Sequence, residues 1–321
     1  GGAPGVEGPC DIFESAATPC VGAWSTARAL YGTYSGSLYQ VQRTSDGATT
    51  EIPVLSPGGI ADSSVQDAFC TGDCIIAVIY DQSPRVNDLF ISRPVFWLED
   101  GGVGSNAAAA RITLGGHPVY GVKFVGAAEN SYRTNNPNGT ATGDEAETLY
   151  EVIDSKVYNQ YCCNSFGNAE TTGNPDGEAT MEAIYFGNCE MFGGGSGDGP
   201  WLLADLEAGT FPSNQKWDES IPPFVTPAFG TLMLKGFSGN RFALKGGDAQ
   251  SGALFTQWDG ARPAGYSPMK KQGDIVLGTG GDGSFYSTGV FFEGAVTIGC
   301  ADDDSVDDAI QANIVAAGYG R

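Results

Sequence analysis

Gly193-Gly-Gly-Ser-Gly-Asp-Gly-Pro-Trp201-Leu-Leu-Ala-Asp205-Leu-Glu207 changes character halfway along, from a flexible glycine run to a strand. Side chains of an extended strand point to opposite faces in turn. Leu202, Ala204 and Leu206 therefore share one face, and Trp201, Leu203, Asp205 and Glu207 the other. The first face reads as core and the second as a site, because Asp205 and Glu207 would stand roughly 6 to 7 Å apart at the backbone beside an aromatic ring. Carbohydrate chemistry uses such pairs of carboxylates. A plain strand with a solvated acidic face is the alternative.

Working outward, the same extended signal recurs. Leu38-Tyr-Gln-Val-Gln-Arg43 reads as a strand, and the unbroken apolar run Ile75-Ile-Ala-Val-Ile-Tyr80 as a strand buried on both sides. Further strands are expected over 111–114, 119–125, 148–153, 181–186, 201–207, 231–237, 241–245, 254–258, 274–277 and 290–298. Their length and glycine-bounded spacing predict an all-β, two-sheet β-sandwich with short helices. Thr26-Ala-Arg-Ala-Leu-Tyr31 and 62–69 read as brief helical turns, and Cys10 and Cys20 as brackets of a short polar loop. At the other end Val306, Ile310, Ile314 and Ala317 recur at helical spacing with Gly318 as a stop, which predicts a C-terminal helix docked on the sheets. Its leading aspartates suit a helix N-terminus electrostatically; a calcium site is the weaker reading.

The chain has 321 residues, enough for one large β-domain, and its 48 Gly and 17 Pro with 41 % hydrophobic residues fit a turn-rich globular protein rather than disorder. No repeat, linker or second module is discernible, so 1–321 is read as a single domain. A formal charge of −22, from 38 acidic against 16 basic residues with no basic patch, disfavours nucleic acid and anionic membranes as partners. A neutral polysaccharide is compatible, whereas a polyuronate would be repelled. Eight cysteines with one histidine, His117, disfavour zinc and point to disulfides and an oxidising compartment. The chain reads as secreted, with no run long enough to span a membrane and with Gly1 marking a removed export signal. Asn138-Gly-Thr140 is a glycosylation sequon in a polar loop. One histidine, placed in a loop between Gly116 and Pro118, cannot build a Ser-His-Asp centre.

Several segments in order, Gly8-Pro-Cys-Asp-Ile-Phe13, Thr26 to Tyr31, Ile79-Tyr-Asp-Gln-Ser83, Cys162-Cys163, Gly167-Asn-Ala-Glu-Thr171, Met181-Glu-Ala-Ile-Tyr185, Gly197 to Glu207, Gly260-Ala-Arg-Pro263 and Gly280-Gly-Asp282, resemble the family 54 glycoside hydrolases of the α-L-arabinofuranosidase B type. The likeness covers essentially the whole chain. It implies a jelly-roll, concanavalin A-like sandwich, no cofactor and no metal, and a monomer acting on arabinose-containing plant cell-wall polysaccharide. The family's common C-terminal arabinose-binding β-trefoil has no counterpart before Arg321.

Glycoside hydrolysis needs a carboxylate that attacks or positions water and a carboxylic acid that protonates the leaving oxygen. The resemblance puts the nucleophile on Glu207 and the general acid/base on Asp282, and it implies retention, for which the two carboxyls stand about 5 to 5.5 Å apart. On a regular strand Glu207 would be held in line with the anomeric carbon. In Gly278-Thr-Gly-Gly-Asp-Gly283 the Asp282 carboxyl could swing between acid and base roles; an ordinary Asp-Gly turn is the bland alternative. By the same resemblance Asp205 accepts a sugar hydroxyl, Gly281 belongs to the substrate site, and Cys162-Cys163 form a vicinal disulfide lining the pocket, with Cys10-Cys20 and Cys70-Cys74 as further bridges. Cys189 and Cys300 are left to form a fourth. Phe192 falls where the family tends to have an aromatic platform, and Trp201 is divided evenly between core and pocket. Ala208 replaces the family's usual Asn, so one sugar contact is expected to be missing or replaced. Asn168, Glu170 and Glu182 are the remaining acid or amide candidates, with Glu182 as runner-up nucleophile. The segment Pro84 to Leu89 departs from the family pattern and predicts a reshaped loop near the recognition elements.

The expected activity is release of terminal α-L-arabinofuranosyl residues from arabinoxylan or arabinan. Rivals are another pentoside, such as a β-xyloside, and a catalytically silent lectin-like module on the same scaffold.

Overall fold

The computed structural model describes residues 7–321; the chain start at Gly1 lies outside them. The defining stretch alternates as its sequence predicts. Trp201–Asp205 is a strand, Leu202, Ala204 and Leu206 enter the main core, and Trp201 and Leu203 pack on the opposite face with Tyr185 and Cys189.

Two antiparallel sheets carry the molecule. One runs in the order Cys20–Ser25, Gly289–Thr297, Glu147–Ile153, Gly230–Phe237, Arg241–Asp248 and Ser251–Gly260, with Val122–Phe124 beside Gly289–Thr297. The other has ten strands, and its centre is the succession Trp201–Asp205, Glu182–Gly187, Ser165–Ala169 and Asp274–Leu277. The sheets pack face to face: Phe166 of the ten-stranded sheet meets Trp24 edge-on at 6.0 Å and Phe291 at 5.4 Å. Gly167 is required there, because a Cβ would collide with Leu149 of the facing sheet. This is the two-sheet β-sandwich expected from strand spacing.

The C-terminal helix, Asp304–Ala317, starts where Asp303 accepts the Ser305 N–H at 2.8 Å and stops at Gly318, whose φ of 76° only glycine adopts without strain. Asp302 is paired with Arg241 and Asp304 with Lys245, each at 2.5 Å. Asp307 is gripped by Lys235 at 2.7 Å and Lys245 at 2.6 Å.

Several local expectations are corrected. Between Cys10 and Cys20 lies a helix, Pro9–Ser15, rather than a polar loop; Pro opens its first turn, and Asp11 accepts the Gly8 and Gly32 N–H groups at 2.7 Å each. Thr26 to Tyr31 is irregular instead of helical, because the Ser25 hydroxyl takes the Ala27 and Arg28 N–H groups and Arg28 reaches across to Glu293 at 2.6 Å. The strand Cys74–Ile79 is half-buried, with Ile75, Ala77 and Val78 partly exposed. His117 opens the strand His117–Tyr120, pairing with Leu114.

Candidate active site

On the face of the ten-stranded sheet turned away from its partner sheet lies a cleft of about 590 Å³. Glu207, Asp282, Asp205, Cys162, Cys163, Phe192 and Ala208 all line it. Sequentially remote segments meet there because the strands that carry them are neighbours in the sheet.

Glu207 is not on the strand itself. Trp201–Asp205 turns back into Thr210–Phe211 through four residues, closed by Leu206 N–H to Gly209 O at 3.1 Å and Gly209 N–H to Glu207 O at 2.6 Å. Leu206 anchors the turn in the core. Glu207 takes φ +78°, a left-handed conformation that costs a non-glycine residue on the order of 1 kcal/mol.

Asp282 sits in a tight turn made by Gly283 N–H to Gly280 O at 3.1 Å and Gly280 N–H to Ser284 O at 2.8 Å. Its carboxylate is pinned rather than free to swing. The Ser284 N–H donates to Oδ1 at 3.0 Å, and the Trp97 indole Nε1–H to Oδ2 at 2.9 Å. Trp97 also donates its backbone N–H to the Asp282 carbonyl at 2.9 Å, so the 95–98 turn and the 280–284 turn form one unit.

Glu170, immediately after the strand Ser165–Ala169, brings a fourth carboxyl against the other three. Burial, then the neighbouring Glu170, Asp205 and Asp282, push the Glu207 carboxyl up to about 10. Burial pushes Asp205 up to about 7, against a Ser165 hydroxyl donated at 2.8 Å. Glu170 is raised as well, chiefly by burial. Among the described residues no lysine or arginine side chain forms a salt bridge with this cluster, and Glu207, Asp205 and Glu170 keep their protons to higher pH than free carboxyls.

The walls are apolar. Cys162 and Cys163 are joined as a vicinal disulfide, and Tyr161, Met191, Phe192, Tyr286 and Trp97 stand exposed around it. Lys216 lies at the rim, donating to the Ala208 carbonyl at 3.3 Å.

Other expectations fall elsewhere. Trp201 is core, 1 % exposed, with its indole N–H on Ser196 O at 3.0 Å. Gly281 lies beneath the lining, where a Cβ would strike the Glu170 carboxyl. Cys10–Cys20 and Cys70–Cys74 are bridged, but Cys189 and Cys300 are both free: Cys189 packs with Tyr185, Trp201 and Leu203 at the cleft, Cys300 beside Thr148. Residues 84–89 do not reach the cleft; Asp81 folds that loop by accepting the Ser83 N–H at 2.8 Å and the Asn87 N–H at 2.7 Å. Glu182 faces the other sheet over Gly236. Burial would raise its carboxyl, yet Arg262 and Lys271, each at 2.7 Å, hold it down at about 2. Asn168 is likewise buried, donating to Ala141 O at 2.7 Å. Among the described residues, no group of three or more His, Cys, Asp or Glu side chains is arranged to hold a metal ion.

Trp97 was invisible to strand reasoning, and the only signal for it was the aromatic doublet Phe96-Trp97 in a loop of Pro, Gly and acids.

The chain is similar to known proteins over nearly its whole length. The chain spans 62 % of the length of the α-L-arabinofuranosidase B of Emericella nidulans, to which it is 49 % identical over 320 residues, 97 % of its own length. The arabinofuranosidase/β-xylosidase of Trichoderma koningii is 48 % identical over 319 residues, covering 97 % of this chain and 63 % of that protein. A crystal structure of an arabinofuranosidase complexed with arabinofuranosyl-α-1,2-xylobiose superposes with a TM-score of 0.94 at 45 % identity, over 98 % of this chain and 66 % of the other. Residues 9–320 match the family described as α-L-arabinofuranosidase B, catalytic, and the chain belongs to that family.

Proposed function

We propose that the chain is a retaining exo-glycosidase that releases terminal α-L-arabinofuranosyl residues from arabinoxylan or arabinan. The observation that carries this reading is the cleft in which Glu207 and Asp282 stand together on two rigid turns, among apolar walls suited to the C–H faces of a sugar. In the first step Asp282 gives its proton to the leaving oxygen, the bond from that oxygen to the anomeric carbon breaks, and a Glu207 oxygen bonds the anomeric carbon. In the second, Asp282 takes a proton from water as the water oxygen displaces Glu207. Asp205, beside the nucleophile, accepts a sugar hydroxyl, and the Cys162–Cys163 bridge with Phe192 supports the furanose ring.

Burial of the whole Trp201–Asp205 strand argues against a plain solvated face. A secreted location is supported by the three formed disulfides, and no helix among the described residues is long and apolar enough to cross a membrane. Asn138 is exposed, as a glycan site requires, although its side-chain N–H now donates to Arg85 O at 3.1 Å. One continuous core joins residues from Cys10 to Tyr319, which supports reading the chain as one catalytic unit.

A β-xyloside is the second substrate to weigh, because the Trichoderma koningii relative is named for both activities. Hydrolysis of aryl α-L-arabinofuranoside and aryl β-D-xylopyranoside by wild type, Glu207→Gln and Asp282→Asn decides. Arabinofuranoside turnover that both substitutions abolish is the expected result. Turnover of the xyloside alone moves the specificity, and binding of arabino-oligosaccharides without cleavage of either substrate leaves a lectin.

A further inference from the structure

A general acid stands beside the oxygen it protonates, so the sugar attached to that oxygen lies next to the Asp282 carboxyl. Trp97, whose indole N–H reaches Asp282 Oδ2 at 2.9 Å, is the ring on that side. Trp97 lines the cleft, whereas Phe96, the next ring outward, lies beyond its lining. The two rings meet edge to face, with centroids 4.9 Å apart and planes at 87°. Both are exposed, Phe96 by 49 %. Their backbone is fixed from three directions. Val95 and Leu98 exchange N–H donors at 3.0 and 3.1 Å, the Phe96 N–H donates to Gly173 O at 3.0 Å, and the Trp97 N–H to Asp282 O at 2.9 Å. Leu98 is buried and Val95 half-buried against Gly173 and Gly283, so these two anchor the turn and leave the aromatic pair to solvent.

We propose that Phe96 and Trp97 form a platform, on the leaving-group side of the cleft, for the pyranose backbone of an arabinose-bearing polysaccharide. The inference deepens the reading of Asp282 as the acid and rests on it. The platform continues the cleft wall outward from Trp97 without a break. A sugar bonded to the leaving oxygen covers Trp97, and its neighbour along the backbone covers Phe96. The chemistry of the rings selects the partner. A β-linked pyranose in its chair form shows flat C–H faces that stack on aromatic rings, whereas the puckered furanose of an arabinan offers less flat area. The charge around the rings selects it too. Glu99 and Asp100, exposed immediately after the turn, repel an anionic chain, and a formal charge of −22 opposes docking of a second copy of this protein. A neutral backbone meets neither penalty. The platform leaves the bonds made and broken unchanged; it holds the scissile oxygen of a polymer at Asp282.

The test measures kcat and KM of wild type, Phe96→Ala and Phe96→Trp on soluble arabinoxylan, on arabinan and on an aryl α-L-arabinofuranoside, with thermal unfolding and sedimentation of each. The single aryl ring beyond the leaving oxygen reaches Trp97 and stops short of Phe96. Phe96→Ala is expected to raise KM on arabinoxylan roughly 10-fold, the scale of one lost aromatic contact, with KM on the other two substrates within about twofold of wild type. Phe96→Trp, which keeps a ring, should restore the arabinoxylan KM. An unchanged arabinoxylan KM in Phe96→Ala overturns the proposal. So does an equal loss on all three substrates, which would mean that Phe96 only props Trp97 against Asp282. A KM rise confined to arabinan overturns the pyranose assignment, and a wild-type dimer that Phe96→Ala dissociates makes the patch a contact between copies. If folded wild type cleaves none of the three substrates, the proposed reaction fails separately. Retardation in a gel containing arabinoxylan then decides: retardation of wild type lost in Phe96→Ala upholds the platform, and equal migration of the two removes it.

Discussion

Two groups of buried carboxylates lie in the same ten-stranded sheet or against it, and they are treated oppositely. Glu182 and Glu147 share Lys271, at 2.7 and 3.0 Å, and Glu182 also holds Arg262 at 2.7 Å. Glu170, Asp205, Glu207 and Asp282 crowd the cleft facing one another. A sequence reader sees acids in both places. The difference is that compensated charge pins two sheets together, whereas uncompensated charge keeps protons available, at a cost to the fold.

Removing Glu207 and removing a structural cation should therefore move stability in opposite directions. Lys271→Met leaves two buried carboxylates short of their cation and should cost about 3–5 kcal/mol in urea unfolding. A loss under about 1 kcal/mol would mean that the far network is no staple. Glu207→Gln should abolish turnover yet raise stability, on the order of 1 kcal/mol or more at pH 9. The sign follows from linkage. A carboxyl raised to about 10 in the fold binds its proton more tightly than in the unfolded chain, so its contribution is complete below about pH 4.3 and is lost as pH rises through 10. Urea midpoints at pH 5 and pH 9 should converge in Glu207→Gln relative to wild type; an unchanged pH slope would break the comparison.

A smaller effect separates geometry from charge. Trp97→Phe keeps the ring but deletes the N–H on Asp282 Oδ2, and turnover of an aryl arabinofuranoside should fall about tenfold, the worth of one hydrogen bond, with unfolding unchanged. Wild-type kcat in this variant would show that the Ser284 N–H alone orients the acid. The mildest case is Glu151, buried without a neighbouring charge and raised well above the usual carboxylate range by burial alone. Glu151→Gln should leave kcat intact and lessen the loss of stability above neutral pH; impaired catalysis would mean that solitary buried acids also serve the cleft.

What the sequence made legible follows from the range of each force. Strand alternation is local, so the faces of Trp201 to Leu206, the sandwich and the C-terminal helix could be read from periodicity alone. The helix Pro9–Ser15 escaped because its stabilising contacts come from Asp11 reaching Gly32 and a disulfide, neither of which has a period. The φ of Glu207 escaped for the same reason: a four-residue return into Thr210–Phe211 sets it. Pairing Cys189 with Cys300 was a matter of counting, and counting carries no distance. Glu170 stood among the acid candidates, but its proximity to Glu207 depends on strand order, which only the fold supplies.

The indole of Trp97, 58 % of whose residue surface is open to solvent, is bonded directly to the carboxyl expected to hand over the proton. The protein thus carries its own optical reporter. Emission from this ring should respond when a sugar displaces water from the cleft, and the difference spectrum between wild type and Trp97→Phe isolates it from the buried Trp24 and Trp201. Occupancy could then be followed by stopped-flow without a chromogenic leaving group, on the unlabelled polymers for which small aryl glycosides only stand in.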